Sequence, residues 1–359
     1  MKFLHLADLH IGKSVNGFSM LEEQRNILAQ IINYIKIKKP QAVLIAGDVY
    51  DRSVPGVEAV RFFDDFLTEL AGLDTTVMII AGNHDSPERL SYASRLLAGK
   101  NIYFGGGIAD PVKIADEYGE VNFWLMPFVR FEAFELPEID YNSRNVILAH
   151  QFFSFSDGDG DSENLPVLSD SEINIGGLDV INAKLLANFD YAALGHLHRA
   201  QAILNNNIRY AGSPLKYSFS EANHAKSATL VELRGKHEIS IELLPLEPIH
   251  DMRVIRGKFD ELAHGEPSHD YLRVILTDER EIIDPMGKIR EVYPNVMTLE
   301  FENSRTDFDF TAAESIMENA GDIKPFELFG AFFLESRGFA MSEEQEQIAR
   351  DILSEMEIE

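Results

Sequence analysis

The chain has 359 residues, 45% of them apolar, no cysteine, and a net charge of −27 at neutral pH. That is material for one large domain plus a smaller one, or for two to three domains. Disulfides and thiolate metal sites are excluded, no apolar run approaches the roughly twenty residues of a membrane span, and MKFLHLADLH is too short and too polar to read as a signal peptide. The absence of cysteine fits a reducing compartment, so a cytoplasmic protein is expected. The acidic total argues at first against a nucleic-acid partner. Exposed charges more than about 8 Å apart are largely screened at physiological salt, however, and bound divalent cations invert the local sign. The acid is also uneven: residues 304–359 hold fourteen Asp/Glu against four Lys/Arg.

Over the first 215 residues strand and helix signals alternate. Phe3–Ala7, Ala42–Ala46, Val77–Ala81, Val146–Ala149 and Tyr191–Leu194 are short apolar runs followed by Gly, Asp or His. Such near-continuous apolarity suggests strands buried on both faces. Between them, Glu22–Lys39 repeats Ile27, Leu28, Ile31, Ile32 and Ile35 at helical spacing, with Pro40 as a stop. Val57–Ala71 carries a stripe of Val60, Phe63, Phe66, Leu67 and Leu70, and a third helix is expected over Glu88–Leu97. These stripes read as core packing. The alternation predicts a mainly parallel, helix-covered α/β sheet, with the site beyond the carboxyl ends of its strands.

Residues 154–177 read as a long polar rim loop. Its DGDGDSE resembles a calcium loop, but Ser162 replaces the required glycine and Leu168 the bidentate glutamate. Strand alternation resumes at Ala228–Leu233 and Ile239–Leu244, and Pro245, Pro248, His250 and Asp251 mark a boundary. Residues 251–303 look like a small α+β module with strands near Leu272–Leu276 and Val296–Phe301. Phe326–Glu335 and Glu343–Met356 look helical. Ser342 and Gln345 form a capping box for the second, whose stripe is Ile348, Ile352, Leu353 and Met356.

Seven metal-ligand-type side chains sit at the ends of apolar runs: Asp8 and His10 in ADLH, Asp48 in AGDVYD, Asn83 in AGNHD, His150 in LAHQ, and His196 and His198 in LGHLH. Oxygen and imidazole donors without thiolate select hard to borderline divalent metals. On an extended backbone Asp8 and His10, two apart, share a side and can reach one ion. The two oxygens of Asp48 can bridge two cations, and Asn83 adds a neutral carbonyl oxygen. A turn can present His196 and His198 to separate metals. Two metals roughly 3.5–4 Å apart clamp the attacking and leaving oxygens of an in-line phosphoryl displacement. His84 adjoins Asn83 and is expected to give a proton to the leaving oxygen, with Asp85 holding its other ring nitrogen. Asp51 is read as a brace for its turn, Arg52 as a phosphate contact. His5, His224, His237, His250, His264 and His269 have no motif partner and read as ordinary.

Together DLH, GDVYD, GNHD, LAHQ and GHLH resemble the calcineurin-like metallophosphoesterases. AGDVYDRSVP, AGNHDSPERL, ALGHLHRAQ and YAGSPLKYSF narrow the resemblance to the SbcD-like nuclease subunits, over about residues 1–245. Tyr50 departs from the phenylalanine usual in the family. The resemblance implies a four-layer α/β/β/α sandwich over 1–248, a DNA-binding capping domain over 251–303, and a linker and helices over 304–359. It implies one metal on Asp8, His10, Asp48 and His198, a second on Asp48, Asn83, His150 and His196, manganese as the metal, and His84 as the catalytic histidine. It further implies a DNA exonuclease and endonuclease for double-strand breaks and hairpins. This would work as a homodimer within a heterotetramer with an SbcC-like coiled-coil ATPase, on which Phe326, Phe329, Phe332 and Phe333 dock. Core packing within the chain is the competing role for those phenylalanines. The competing functions are a phosphoesterase for small phosphodiesters or phosphoproteins, which the metal motifs fit equally, and a non-catalytic DNA tether.

Overall fold

In a computed structural model, the structure describes residues 1–106, 110–154, 166, 169, 180–303, 326, 329–330, 332–333 and 341–355. The chain divides into two units, Met1–Arg253 and Val254–Glu359. In the first, the apolar runs become strands with little or no exposure on either face. Ala42–Ala46, Arg144–His150 and Tyr191–Gly195 are buried throughout.

These strands form two six-stranded sheets. In the first, Lys2–Leu6, Ala42–Ala46, Thr76–Ile80 and Ile102–Phe104 run parallel, and Ser227–Leu233 and Ile239–Pro245 extend it antiparallel. In the second, Gly119–Met126, Arg144–His150, Tyr191–Gly195 and Asn205–Tyr210 are parallel, with antiparallel strands Val112–Asp116 and Gln201–Ile203 at the edges. One core joins them: Phe3, Leu44, Met78 and Ile80 from the first sheet meet Phe123, Val146, Leu148 and Tyr191 from the second. Each such side chain contributes roughly 1.5–3 kcal/mol by leaving water.

The sequence pattern alone points to one sheet between helices, and the structure corrects that to two facing sheets. An apolar run records that both faces are buried, not whether a helix or a second sheet covers them. The four-layer α/β sandwich implied by the family resemblance is the architecture found. Helices α1 (Leu21–Lys38) and α2 (Val57–Ala71) are the crossovers of the first sheet. On the far side of the second sheet the described residues hold 3-10 turns at Phe131–Ala133 and Ala183–Leu186. Leu186, Phe189, Phe152 and Phe153 close a second apolar cluster there.

Helix α1 buries all five residues of its expected stripe. Helix α2 is rotated from its expected face. It buries Ala59, Phe62, Phe63, Phe66 and Leu70, whereas Val60 is 43% exposed. The single helix expected over Glu88–Leu97 is two one-turn helices, Pro87–Leu90 and Ser94–Leu97. Ala93 breaks it with a left-handed backbone, φ +61°, a conformation L-residues continue into a helix only at a cost of about 1–2 kcal/mol.

The second unit carries a three-stranded sheet of Met252–Gly257, Tyr271–Leu276 and Val296–Phe301, the last two parallel. Helix α3 (Pro285–Val292), capped by the Asp284 side chain, sets Ile289 against Leu272, Val274 and Val296. Helix α4 (Glu343–Glu355) starts on the expected capping box: Gln345 N donates to Ser342 Oγ at 3.3 Å and Ser342 N to Gln345 Oε1 at 2.9 Å. Ile348 and Ile352 of its apolar stripe are half-exposed, and the Arg350 guanidinium lies 3.6 Å from the Phe326 ring centre. The DGDGDSE segment, residues 304–325 and Met356 lie outside the described residues. No described helix is long and apolar enough to cross a membrane.

Candidate metal centre

The seven candidate ligands gather at the carboxyl ends of parallel strands drawn from both sheets. Asp8 and His10 follow Lys2–Leu6, Asp48 follows Ala42–Ala46, and Asn83 follows Thr76–Ile80. His150 ends Arg144–His150, and His196 and His198 follow Tyr191–Gly195. Two glycines let these ends close in. A Cβ on Gly195 would lie 1.8 Å from Ala46 O, and one on Gly82 would lie 2.1 Å from Asp48 Oδ1. At Gly195 the two sheets therefore meet through backbone, and at Gly82 two neighbouring strand ends of the first sheet do, where a side chain would hold them apart.

Asp8 (φ +54°), His10 (φ +44°), Asp48 (φ +50°) and His196 (φ +104°) all have left-handed backbones. The expectation that Asp8 and His10 share a side through extended backbone is therefore corrected. The strand ends at Leu6, and paired backbone bonds from Asp8 N to Gly47 O and His10 N to Asp48 O fix the two turns together. Non-glycine residues held at positive φ store strain that packing elsewhere must offset, and such residues gather at functional sites.

Ligand atoms converge at short range. His10 Nε2 and His198 Nε2 are 3.2 Å apart, and His10 Nε2 lies 3.6 Å from Asp48 Oδ2. On the other side of Asp48, His150 Nε2 lies 3.4 Å from the same Oδ2 and 2.9 Å from Asn83 Oδ1. His196 Nδ1 approaches Asn83 Oδ1 at 3.0 Å, while its backbone N–H donates to Asp8 Oδ1 at 2.9 Å. Among the described residues, Asp8, His10 and His198 form a group whose donor atoms all lie within 4.8 Å of one another. So do His10, Asp48 and His84, and Asp8, Asp48 and His150.

The donor chemistry fits cations. His150 Nδ1 lies 2.8 Å from Ala46 O, and a carbonyl only accepts, so the ring carries its proton on Nδ1. Nε2 then turns a lone pair toward two oxygens, Asn83 Oδ1 and Asp48 Oδ2. Either a second proton or a cation must sit among those three atoms. Without a cation the proton takes the place: burial alone would lower the His150 pKa, but the Asp48 carboxylate outweighs it and raises it to about 9. Burial likewise disfavours ionised Asp48, yet His150 and His10 hold it well below the usual carboxylate range. Burial pushes Asp8 up to about 7, drops His196 to about 3 and holds His10 well below its ordinary value. Neutral imidazole is the form that binds a metal.

His84 stands beside this cluster, its ring centre 4.8 Å from that of His10. Its backbone N–H donates to Asp48 Oδ1 at 2.9 Å and its Nδ1 donates to Asp51 O at 2.9 Å. The expected partner Asp85 is corrected here. Its carboxylate accepts from Val49 N, Tyr50 N and Gly82 N at 2.9–3.0 Å, which ties the GDVYD turn to the GNHD turn and leaves the His84 ring to Asp51. Burial and the Asp48 charge raise Asp85 to about 6. Adjacency in sequence misled because Asp85 points back under the loop. Arg52 is 82% exposed at the rim, its Nε 3.7 Å from Asp51 Oδ2. Asp51 reaches further than a turn brace, since its Oδ1 accepts from Lys13 Nζ at 2.8 Å and lies 3.7 Å from His10 Nδ1.

Sequence reading missed a buried group behind His198. His198 Nδ1 lies 3.1 Å from Glu221 Oε1, and Glu221 Oε2 accepts from Lys226 Nζ at 2.6 Å. Glu221 has no solvent exposure. Burial would raise its pKa, but His198 and Lys226 outweigh that and hold it at about 2. The signal was present in YAGSPLKYSF and the residues after it, which resemble the family without offering a metal ligand.

A family model described as calcineurin-like phosphoesterase matches residues 1–200, and one described as type 5 capsule protein repressor C-terminal domain matches residues 248–337. A curated relative from Staphylococcus saprophyticus, named as the SbcD subunit of the nuclease SbcCD, is 32% identical and aligned over 86% of this chain and 86% of its own. Its namesake from Staphylococcus epidermidis is 30% identical over 83% of this chain and 85% of its own. Among solved structures, a dimetal phosphatase from Danio rerio is 12% identical with a TM-score of 0.41, over 68% of this chain and 96% of that one. With a matching model over more than half its length, and a relative 32% identical over 86% of it, the chain belongs to the calcineurin-like phosphoesterase family, in its SbcD-like branch.

Proposed function

We propose that the protein is a two-metal DNA phosphodiesterase, an exonuclease and endonuclease that uses Mn²⁺ and works with an SbcC-like coiled-coil ATPase on broken and hairpin ends. The observation that supports it most is the convergence of seven residues with oxygen and imidazole donors, in which Asp48 Oδ2 stands between His10 on one side and His150 on the other. In this reading Asp8, His10, Asp48 and His198 hold one ion, and Asp48, Asn83, His150 and His196 the other. Bound there, two such ions grip phosphate oxygens and lower the pKa of water.

The remaining chemistry belongs to side chains. The Asp51 carbonyl keeps a proton on His84 Nδ1, so Nε2 is the atom through which His84 exchanges a proton with the leaving sugar oxygen. Arg52, exposed at the rim, meets a neighbouring phosphate. Residues 251–303 act as the capping domain that holds DNA, and the helices after Phe326 dock the ATPase, consistent with the exposure of Phe329, Phe332, Ile348 and Ile352. The relatives' name, which makes them one subunit of a nuclease, supports a partner and a nucleic acid as substrate. A homodimer within a heterotetramer is the expected assembly, and the cytoplasm its place of work.

The test is cleavage of linear duplex, hairpin DNA and a chromogenic phosphodiester, with and without the ATPase, alongside elemental analysis. Two Mn²⁺ per chain and DNA cleavage stimulated by the ATPase are expected, and Asp48→Ala should lose at least one metal. Cleavage of the chromogenic ester but of no DNA substrate would make the protein a small-substrate esterase. Two bound metals with no cleavage of any substrate would make it a tether.

A further inference from the structure

The YAGSPLKYSF motif and the residues after it supply no metal ligand, yet they wrap His198. Gly212, at φ +77°, brings the chain so close that a Cβ there would lie 2.8 Å from His198 O and 2.6 Å from Ala200 N. Ser213 N donates to His198 O at 3.1 Å. Lys226 Nζ donates to the same carbonyl at 2.9 Å, to Ser213 Oγ at 2.8 Å and to Glu221 Oε2 at 2.6 Å. The other Glu221 oxygen lies 3.1 Å from His198 Nδ1. Opposite that contact, His198 Nε2 is 3.2 Å from His10 Nε2.

We propose that Glu221, held by Lys226, is the positioning residue that sets the His198 tautomer. It keeps the proton on Nδ1 and turns the Nε2 lone pair into the metal centre. This rests on the reading of His198 as a ligand and deepens it. The chemistry is directional. An ionised carboxylate only accepts, so it admits only the Nδ1–H form of a neutral imidazole. A hydrogen-bonded carboxylate behind a ligating imidazole fixes ring orientation and strengthens the donor. Lys226 keeps Glu221 ionised in a place without solvent, where an unpaired carboxylate would otherwise take up a proton. Its second bond, to the His198 carbonyl, fixes the main chain of the residue whose side chain Glu221 aims.

The pairing makes glutamine at 221 informative. An amide has one acceptor and one donor end, and Lys226 Nζ, which only donates, claims the oxygen. The NH₂ then faces His198 Nδ1 and forces the proton onto Nε2, aimed at the metal. Replacing Lys226 by methionine in that background releases the amide, which can turn its oxygen back to Nδ1. A merely structural Glu221 predicts no such rescue, because the second change removes a further buried bond.

The experiment uses the full chain labelled with [¹⁵N]histidine, free of metal, and Mn²⁺ alone as titrant. Ring ¹⁵N shifts should show His198 as the Nδ1–H tautomer in the wild type and as Nε2–H in Glu221→Gln. Mn²⁺ should bind wild type at two sites, with one weakened about 10–100-fold in Glu221→Gln, the usual loss for such a partner. It should be restored at least in part in Glu221→Gln/Lys226→Met. An Nε2–H tautomer in the wild-type chain would overturn the proposal even if no variant folds. Unchanged Mn²⁺ affinity in a folded Glu221→Gln, or a double variant no tighter than the single, would also overturn it. Failure of the wild type to bind Mn²⁺ would instead remove the metal-centre reading on which it rests.

Discussion

Gly195 lies where the two sheets touch, and alanine there is the sharpest test of how the centre is built. Its Cβ would stand 1.8 Å from Ala46 O and 2.8 Å from His150 Nδ1, against 3.4–4 Å for an ordinary contact. Neither neighbour can yield freely. Ala46 is the last residue of a central strand, and His150 Nδ1 is bonded to that same Ala46 carbonyl at 2.8 Å. The strands must separate by more than an ångström, which costs about 1–3 kcal/mol as overpacking. Losing the His150 bond adds about 1 kcal/mol. A total of about 2–4 kcal/mol lowers the melting temperature of a unit this size by roughly 5–15 °C. Because His150 loses the carbonyl that fixes its tautomer, Mn²⁺ affinity should fall about 10–100-fold as well. Calorimetry of the metal-free chain and a Mn²⁺ titration measure the two effects. Gly56→Ala, whose Cβ would meet nothing within 4 Å, is the control and should change stability by less than about 1 kcal/mol. A Gly195→Ala chain that melts with wild type and binds metal as tightly would refute the argument that backbone contact between the sheets holds the site.

Other consequences are open to measurement. Asp85→Ala leaves the buried N–H groups of Val49, Tyr50 and Gly82 without their acceptor. At about 1–3 kcal/mol for each unsatisfied group, relaxation should leave a net loss of about 2–5 kcal/mol in denaturant unfolding. A loss under about 1 kcal/mol would show that Asp85 does not brace the turns. His84→Ala should retain its metal by elemental analysis while cleavage slows about 10²–10⁴-fold, and unchanged cleavage would remove His84 from proton transfer. Away from the centre, burial works against ionised Asp116. The Arg144 guanidinium and the Met1 ammonium outweigh it and lower its pKa from 3.8 to about 2. A depressed carboxylate contributes stability that is present above pH 3.8 and is lost as pH falls through about 2. In acid unfolding, wild type and Asp116→Asn should therefore differ above about pH 4 and converge toward about pH 2. A gap that stays constant over that range would refute the linkage.

Much of this was legible in the chain. Ala42–Ala46 and Tyr191–Leu194 read as strands because an unbroken apolar run of this length, ended by glycine, suits a doubly buried strand better than a helix. Helix α1 read correctly because Ile27, Leu28, Ile31, Ile32 and Ile35 repeat at the roughly 3.6-residue helical period and lysines lead into Pro40. The seven candidate ligands stood out because metal-ligand residue types recur at the ends of successive apolar runs, where the site of such a sheet lies. What the sequence could not carry was the partner of each face. The same apolar residues suit a helix or a second sheet, so the facing of two sheets across Phe3, Met78, Phe123 and Tyr191 is a tertiary outcome. So is the direction of a side chain after its strand ends. Left-handed backbones at Asp8, His10 and Asp48 turn these side chains where no period of two would send them. Asp85 bends back beneath its own loop because the N–H groups of Val49, Tyr50 and Gly82 converge on its carboxylate there. Glu221 lies 23 residues beyond His198 in the chain, and only the turn at Gly212 returns the backbone to the His198 carbonyl. Residue types at strand ends thus determined the chemistry available to this protein. The close approach of the two sheets at Gly195, and of neighbouring strand ends at Gly82, which no local pattern encodes, decided that those residues share one site.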